Sequence, residues 1–127
     1  MIRQEFEVEV YWKVIVYWNV DYNFFDSIYR DLRSIGFFKN HIRELMYDME
    51  AYKAKAVTCS NLRYYTSVVL FNRHGESSDY LNSIVHESEH IKQAMLKAYS
   101  INDSGEPPAY TIGYLVMRMY SVFRSLL

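Results

Sequence analysis

The chain has 127 residues, of which 50% are apolar and 23% charged, and its formal net charge is −1. This length and composition suit one hydrophobic core, so we expect a single domain over residues 1–127 rather than a disordered or two-domain protein. Acidic and basic residues are interleaved. We expect no nucleic-acid partner, because phosphate binding normally requires a clustered basic face.

The sequence shows no signal for a membrane or for an oxidising compartment. Its first residues, Met-Ile-Arg-Gln-Glu-Phe-Glu, are acidic where a secretory signal peptide would be basic and then continuously apolar. No apolar run approaches the roughly 20 residues that a membrane-spanning helix needs. Cys59 is the only cysteine, so no disulfide can form within the chain. We therefore expect a soluble cytoplasmic protein without a membrane segment.

The first half of the chain begins with a strand pattern and continues with two helical patterns. Even positions over residues 6–18 are apolar or aromatic, which predicts a strand with one buried face, long enough to conceal a bend. Apolar residues then recur at helical spacing over residues 21–34, and Gly36 can end that helix. A second helix is predicted over about residues 39–54.

The second half contains two strand patterns followed by two helical ones. The strands are predicted at residues 55–60 and 62–72, with a tight hairpin at Ser60-Asn61. Helices are predicted over about residues 80–99 and 107–125, the latter starting with two prolines that a first helical turn tolerates. The order β-α-α-β-β-α-α predicts an α+β fold, with a mixed or antiparallel sheet of about three strands packed on helices.

A pentapeptide in the third predicted helix has the spacing of a metal site. Residues 86–90 read His-Glu-Ser-Glu-His, and positions i and i+4 of a helix lie about 40° apart on one face. His86 and His90 can therefore reach one ion, as tetrahedral Zn²⁺ requires. Glu87 lies outside this ligand pair but close enough to hold a water on the metal. The alternative is a pair of surface histidines that form ion pairs with nearby acids.

A third zinc ligand is expected after this helix. Glu106 stands at the start of the last predicted helix, where its carboxylate can turn toward a neighbouring helix, although the helix dipole also favours an acid there. Asp103 is the main alternative for the same role. Tyr110 shares the helix face of Glu106 and would place a hydroxyl beside the metal, unless it is a core aromatic. Gly113 on this face would let two helix backbones approach closely.

The motif His86-Glu87-x-x-His90, followed by a glutamate at the head of the next helix, resembles the gluzincin class of zinc metallopeptidases. The likeness covers about the second half of the chain, and it is strongest to very small members and to zincin-like proteins of phages and mobile elements. It implies His86, His90 and Glu106 as zinc ligands and Glu87 as general base. It also implies an edge strand near residues 67–72 that aligns an extended peptide.

These observations leave functions of different classes open. The first is a zinc metallopeptidase acting on a peptide or protein, in which Glu87 takes a proton from a metal-activated water. The second is a catalytically silent zincin-fold binding module of phage or mobile-element origin. The small size, the aromatic residues expected on the surface and the charged Glu89 favour this second function. The class usually lacks charge at the positions of Glu89 and Lys92, and this departure bears on catalysis more than on metal binding. A hydrolase acting on a non-peptide amide is a third alternative.

Overall fold

The computed structural model describes residues 1–8 and 11–126 and has an α+β fold. The strands form one mixed sheet in the order β1-β2-β4-β3, in which β2 and β4 are parallel and the other pairs antiparallel. The sheet has four strands where the sequence pattern predicts about three. The elements are β1 (Ile2–Val8), β2 (Trp12–Trp18), α1 (Asp26–Ser34), α2 (Lys39–Glu50), β3 (Ala56–Asn61), a 3₁₀ helix (Leu62–Tyr64), β4 (Thr66–Phe71), α3 (Ser77–Ala98) and α4 (Glu106–Ser125).

The single strand predicted over residues 6–18 was wrong, because this segment forms the two antiparallel strands β1 and β2. Only residues 9–11 separate the paired residues Val8 and Trp12. An odd number of connecting residues preserves the alternation, so even positions of both strands share one face. The predicted buried face is confirmed at Phe6, Val8, Trp12, Val14, Val16 and Trp18. Glu9 and Val10, assigned to the same strand by the pattern, lie outside the described residues.

Helices cover both faces of the sheet. Helices α3 and α4 cover one face, where they pack on Phe6 and Val8 of β1, on the even positions of β2, and on Val69 and Phe71 of β4. On this face Trp18 stacks on Phe71, with the ring centroids 4.6 Å apart. Helices α1 and α2 cover the other face, where they pack on Ile15 and Tyr17 of β2 and on Val68 and Leu70 of β4. Strand β4 is buried along its whole length, as expected of a central strand with helices on both sides.

The strand beside α3 at the edge of the sheet is β3. The implied edge strand at residues 67–72 is therefore a wrong prediction, since β4 lies between β2 and β3. The physical reason is its composition: Val68 and Leu70 on one face and Val69 and Phe71 on the other are apolar, so the strand gains most from the centre of the sheet. Strand β3 is only partly buried and leaves one side unpaired among the described strands.

The helices differ from their predicted ranges mainly at their ends. Helix α1 begins at Asp26 because Asp21 forms a turn in which its Oδ1 accepts a hydrogen bond from the backbone N–H of Asn23, at 3.0 Å. The predicted helix end at Gly36 is confirmed, since Gly36 follows α1 with a φ of 90°. Among the described residues, no helix combines the length and apolar character needed to cross a bilayer.

Candidate metal site

The His-Glu-Ser-Glu-His segment lies in the middle of helix α3, which has one face packed on the sheet and the other exposed to solvent. Tyr80, Ile84, Ile91 and Met95 form the buried stripe of the helix and pack on the face of the sheet. With 100° per residue, the two histidines fall on the opposite side of α3 from this stripe. The histidine pair is therefore exposed, while the buried stripe holds the helix against the sheet.

The two imidazoles lie next to each other, as the i and i+4 spacing predicts. The Nε2 atoms of His86 and His90 are 3.2 Å apart, and the ring centroids are 4.8 Å apart. The His86 side chain is 67% exposed. Each ring thus directs its Nε2 atom toward the same point on the protein surface.

Glu87 lies behind the histidine pair and is buried, with its side chain only 5% exposed. Its Oε1 accepts a hydrogen bond of 3.0 Å from Oγ1 of Thr58 on β3, and its Oε2 lies 4.0 Å from Nε2 of His86. Burial raises the pKa of the Glu87 carboxyl, while the Thr58 hydrogen bond and the charge of the two imidazoles offset part of this increase. One carboxylate oxygen is anchored and the other faces the imidazoles.

Thr58 belongs to the site, although no pattern in the sequence singles it out. It pairs with Val69 across the sheet and so lies on the face that α3 covers. The only signal in the sequence is a polar residue on the inner face of a strand, which is common and carries no information about its partner. Its contact with Glu87 joins positions 29 residues apart, and no local pattern encodes such a pair.

The structure does not bring Glu106 or Tyr110 to the histidines. The start of α4 lies at the far end of α3, where Pro107 and Tyr110 line a cavity of about 310 Å³ together with Met95 and Leu96. The rise of α3 from residue 90 to residue 96 is about 9 Å. Tyr110 is 73% exposed. Within residues 1–8 and 11–126, no three His, Cys, Asp or Glu side chains form a group that could hold a metal ion.

Asp103, the alternative third ligand, belongs to a different contact. Its Oδ1 lies 2.9 Å from Nζ of Lys92, which also contacts Oε1 of Glu89 at 2.8 Å. Lys92 follows His90 by two residues, so it lies roughly 160° around the helix from that histidine. Asp103 is therefore on the opposite flank of α3 from the imidazole pair. The charges of Glu89 and Lys92 satisfy each other and leave the histidines unobstructed.

Cys59, Gly113 and His74 lie outside the candidate metal site. Cys59 is buried, and burial together with the nearby charge of Glu87 raises the pKa of its thiol to about 12. A Cβ at Gly113 would meet no atom within 4 Å, so the predicted close helix approach at Gly113 was wrong. His74 bridges the loop after β4 to α3, since its ring nitrogens contact the Asn72 carbonyl oxygen at 2.6 Å and Ser83 Oγ at 2.8 Å.

No protein-family model, curated protein or solved structure matches the chain. The resemblance to gluzincins accordingly rests on the residues of the motif. What these residues can do chemically follows from the two imidazoles, the buried carboxylate and the edge strand beside them.

Proposed function

We propose that this protein binds Zn²⁺ through Nε2 of His86 and His90 and hydrolyses peptide bonds with Glu87 as general base. The observation that carries the proposal is the 3.2 Å separation of the two Nε2 atoms. Two nitrogen ligands of tetrahedral zinc, each about 2.05 Å from the metal, lie about 3.3 Å apart. The pair therefore needs almost no rearrangement to hold the ion.

The donor set fits zinc in type, although it is smaller than that of a usual catalytic site. Imidazole nitrogens are preferred zinc ligands, and catalytic sites normally add a third protein ligand. His86 and His90 would hold the ion. A zinc ion bound there would supply Lewis-acid chemistry, polarising a carbonyl and lowering the pKa of water toward about 7.

Glu87 is placed to move a proton beside this site. Thr58 fixes Oε1 at 3.0 Å, which leaves Oε2, at 4.0 Å from Nε2 of His86, to accept a proton from water near the imidazoles. Glu87 then transfers this proton to the amine that leaves as the peptide bond breaks. A general base works best when its pKa is close to the operating pH, and burial shifts the pKa of Glu87 in that direction.

The substrate fits as an extended peptide rather than a small molecule in a closed pocket. The histidine pair is exposed, and Glu87 contacts the edge strand β3 through Thr58. An edge strand offers backbone N–H and C=O groups with which an extended chain can pair. A peptide or protein loop added along β3 would place its carbonyls next to the imidazoles.

The second candidate function is a zincin-like binding module that does not catalyse. It is favoured by the absence, among the described residues, of a third His, Cys, Asp or Glu side chain grouped with the histidine pair. In such a module, the exposed imidazoles and β3 would capture a peptide without cleaving it. The two candidates differ in whether a zinc-loaded protein turns over substrate.

The test combines metal analysis with cleavage of a broad peptide library followed by mass spectrometry. The wild type and Glu87→Gln should retain zinc after dialysis, and only the wild type should cleave. The double variant His86→Ala/His90→Ala should lose both properties. His41→Ala, an exposed histidine on α2, is the matched control and should behave as wild type. Equal metal in the wild type and the double variant would refute the site, and zinc binding without cleavage would favour the binding module.

A further inference from the structure

The exposed face of α3 carries more than the two histidines. Asn82 and Gln93, which are neutral and exposed, lie about one helical turn before His86 and one turn after His90. Glu89, between the two histidines in sequence, is 42% exposed and contacts Lys92. This histidine face, defined by residues 82, 86, 89, 90 and 93, therefore carries one acid, which is paired, beside its two metal-binding nitrogens.

The histidine pair supplies half of a tetrahedral ligand set. Tetrahedral zinc takes four ligands, and closed sites fill all four with protein atoms. The structure groups no third acid, cysteine or histidine of the described residues with the pair. Asp103, held by Lys92, lies on the other flank of α3. An identical pair on a second copy would complete the set.

We propose that one zinc ion bridges two copies of this chain through His86 and His90 of each copy, at a two-fold axis. A two-fold contact places the same patch of both copies against itself. The proposal rests on the metal site proposed above and adds a regulated state of that site. With four imidazoles around the ion, no position remains for water or a substrate carbonyl, so the bridged dimer is the latent form.

The charge distribution of the histidine face permits such a contact. A two-fold interface brings every charge close to its own copy, and like charges facing each other oppose association. The acid nearest the pair on the exposed side, Glu89, is bound by Lys92 at 2.8 Å. The other exposed residues next to the pair, Asn82 and Gln93, are neutral.

The decisive experiment is sedimentation of the full chain with chelator, with half an equivalent of zinc and with excess zinc, together with measurement of bound metal. Half an equivalent should double the mass relative to the chelated protein and give one zinc per two chains. Excess zinc at low protein concentration should return the mass to one chain with one zinc each. His86→Ala and His90→Ala should each abolish the doubling, whereas Glu87→Gln should retain it.

A second variant tests the interface without changing a ligand. Asn82→Glu places like charges against each other and should lower the dimer fraction at half an equivalent of zinc at least severalfold. Met117→Glu, at a position on α4 that is 56% exposed, is the matched control and should leave the dimer intact.

The outcomes separate this inference from the proposed function. Zinc binding by a chain that stays single at half an equivalent would overturn the bridge and leave the peptidase site standing. A dimer that persists in chelator, or in His86→Ala, would also overturn the bridge. Failure to bind zinc at all would overturn both proposals.

Discussion

The Oγ1 atom of Thr58 on strand β3 donates a hydrogen bond of 3.0 Å to Oε1 of Glu87 on helix α3. This contact joins the edge of the sheet to the helix that carries the histidine pair. It also gives one oxygen of the buried Glu87 carboxylate a hydrogen-bond donor, since the Glu87 side chain is only 5% exposed. A buried carboxylate without partners would be strongly destabilising, so Thr58 supports both the position and the charge of Glu87.

Replacing Thr58 by Val should lower the free energy of unfolding by about 1–3 kcal/mol, the usual cost of leaving a buried polar group without its partner. The change is nearly isosteric and removes only the hydroxyl donor. Urea denaturation of the chelated protein measures the effect. Thr58→Ser retains the hydroxyl and should lie much closer to wild type. Equal loss in both variants would mean that packing of the Thr58 methyl group, and not its hydrogen bond, is responsible.

Glu87→Gln should stabilise the metal-free protein at neutral pH by ~1 kcal/mol, a few degrees in Tm. Burial raises the pKa of folded Glu87 above its ordinary value of 4.5. The folded chain therefore binds this proton more tightly than the unfolded chain, and the associated stability is lost as pH rises through the raised pKa. The advantage of the variant should grow with pH across that window and then level off. Thermal unfolding in chelator checks this, and an advantage independent of pH would contradict it.

The first hairpin shows why part of the fold was predictable and part was not. Burial on the even positions followed from the alternation in residues 6–18, and the structure confirms that face. The chain reversal was hidden because the pattern continues unbroken through residues 9–11. The connecting residues 9–11 include no Gly, Asn or Asp, so the sequence contains no local turn signal there.

In the candidate site, too, contacts within one helix were predictable from the sequence and contacts between helices were not. The adjacency of His86 and His90 follows from helical spacing within one element, and the structure confirms it at 3.2 Å. Glu106 depends on how α4 packs beside α3, which no spacing in the sequence determines. Its expected convergence with the histidines required the start of α4 to lie near residue 90. The helix instead begins beside Met95 and Leu96.

Lys92→Met should leave zinc binding unchanged and cost about 1 kcal/mol or less of stability. Lys92 holds Asp103 and Glu89, but both carboxylates are more than 40% exposed, so water replaces much of the lost interaction. Asp103→Asn should likewise retain all of the zinc, because Lys92 holds Asp103 on the flank opposite His90. Metal analysis beside His86→Ala, which should lose zinc, checks both variants. Loss of zinc in Asp103→Asn would restore Asp103 as a ligand.

His74 provides a prediction on pH that is independent of metal. Its Nδ1 lies 2.6 Å from the carbonyl oxygen of Asn72, so Nδ1 carries the proton, and Nε2 at 2.8 Å accepts from the Ser83 hydroxyl. The ring stacks on Tyr80 with centroids 4.2 Å apart. Burial lowers the pKa of His74 below its ordinary value of 6.5, while its contact with the Asn72 backbone offsets part of this shift.

The unfolded chain therefore binds the His74 proton at a higher pH than the folded chain does. Stability should decline as the pH falls below 6.5 and should stop declining from this source once folded His74 is protonated. His74→Gln should be less stable at neutral pH by about 1 kcal/mol, since it loses ring stacking and part of the bridge, but its stability should depend less on pH in this window. The imidazole resonances of His74 followed by NMR give the pKa directly. A pKa at or above 6.5, or an equally steep pH dependence in His74→Gln, would show that His74 does not link the loop to α3 as a neutral ring.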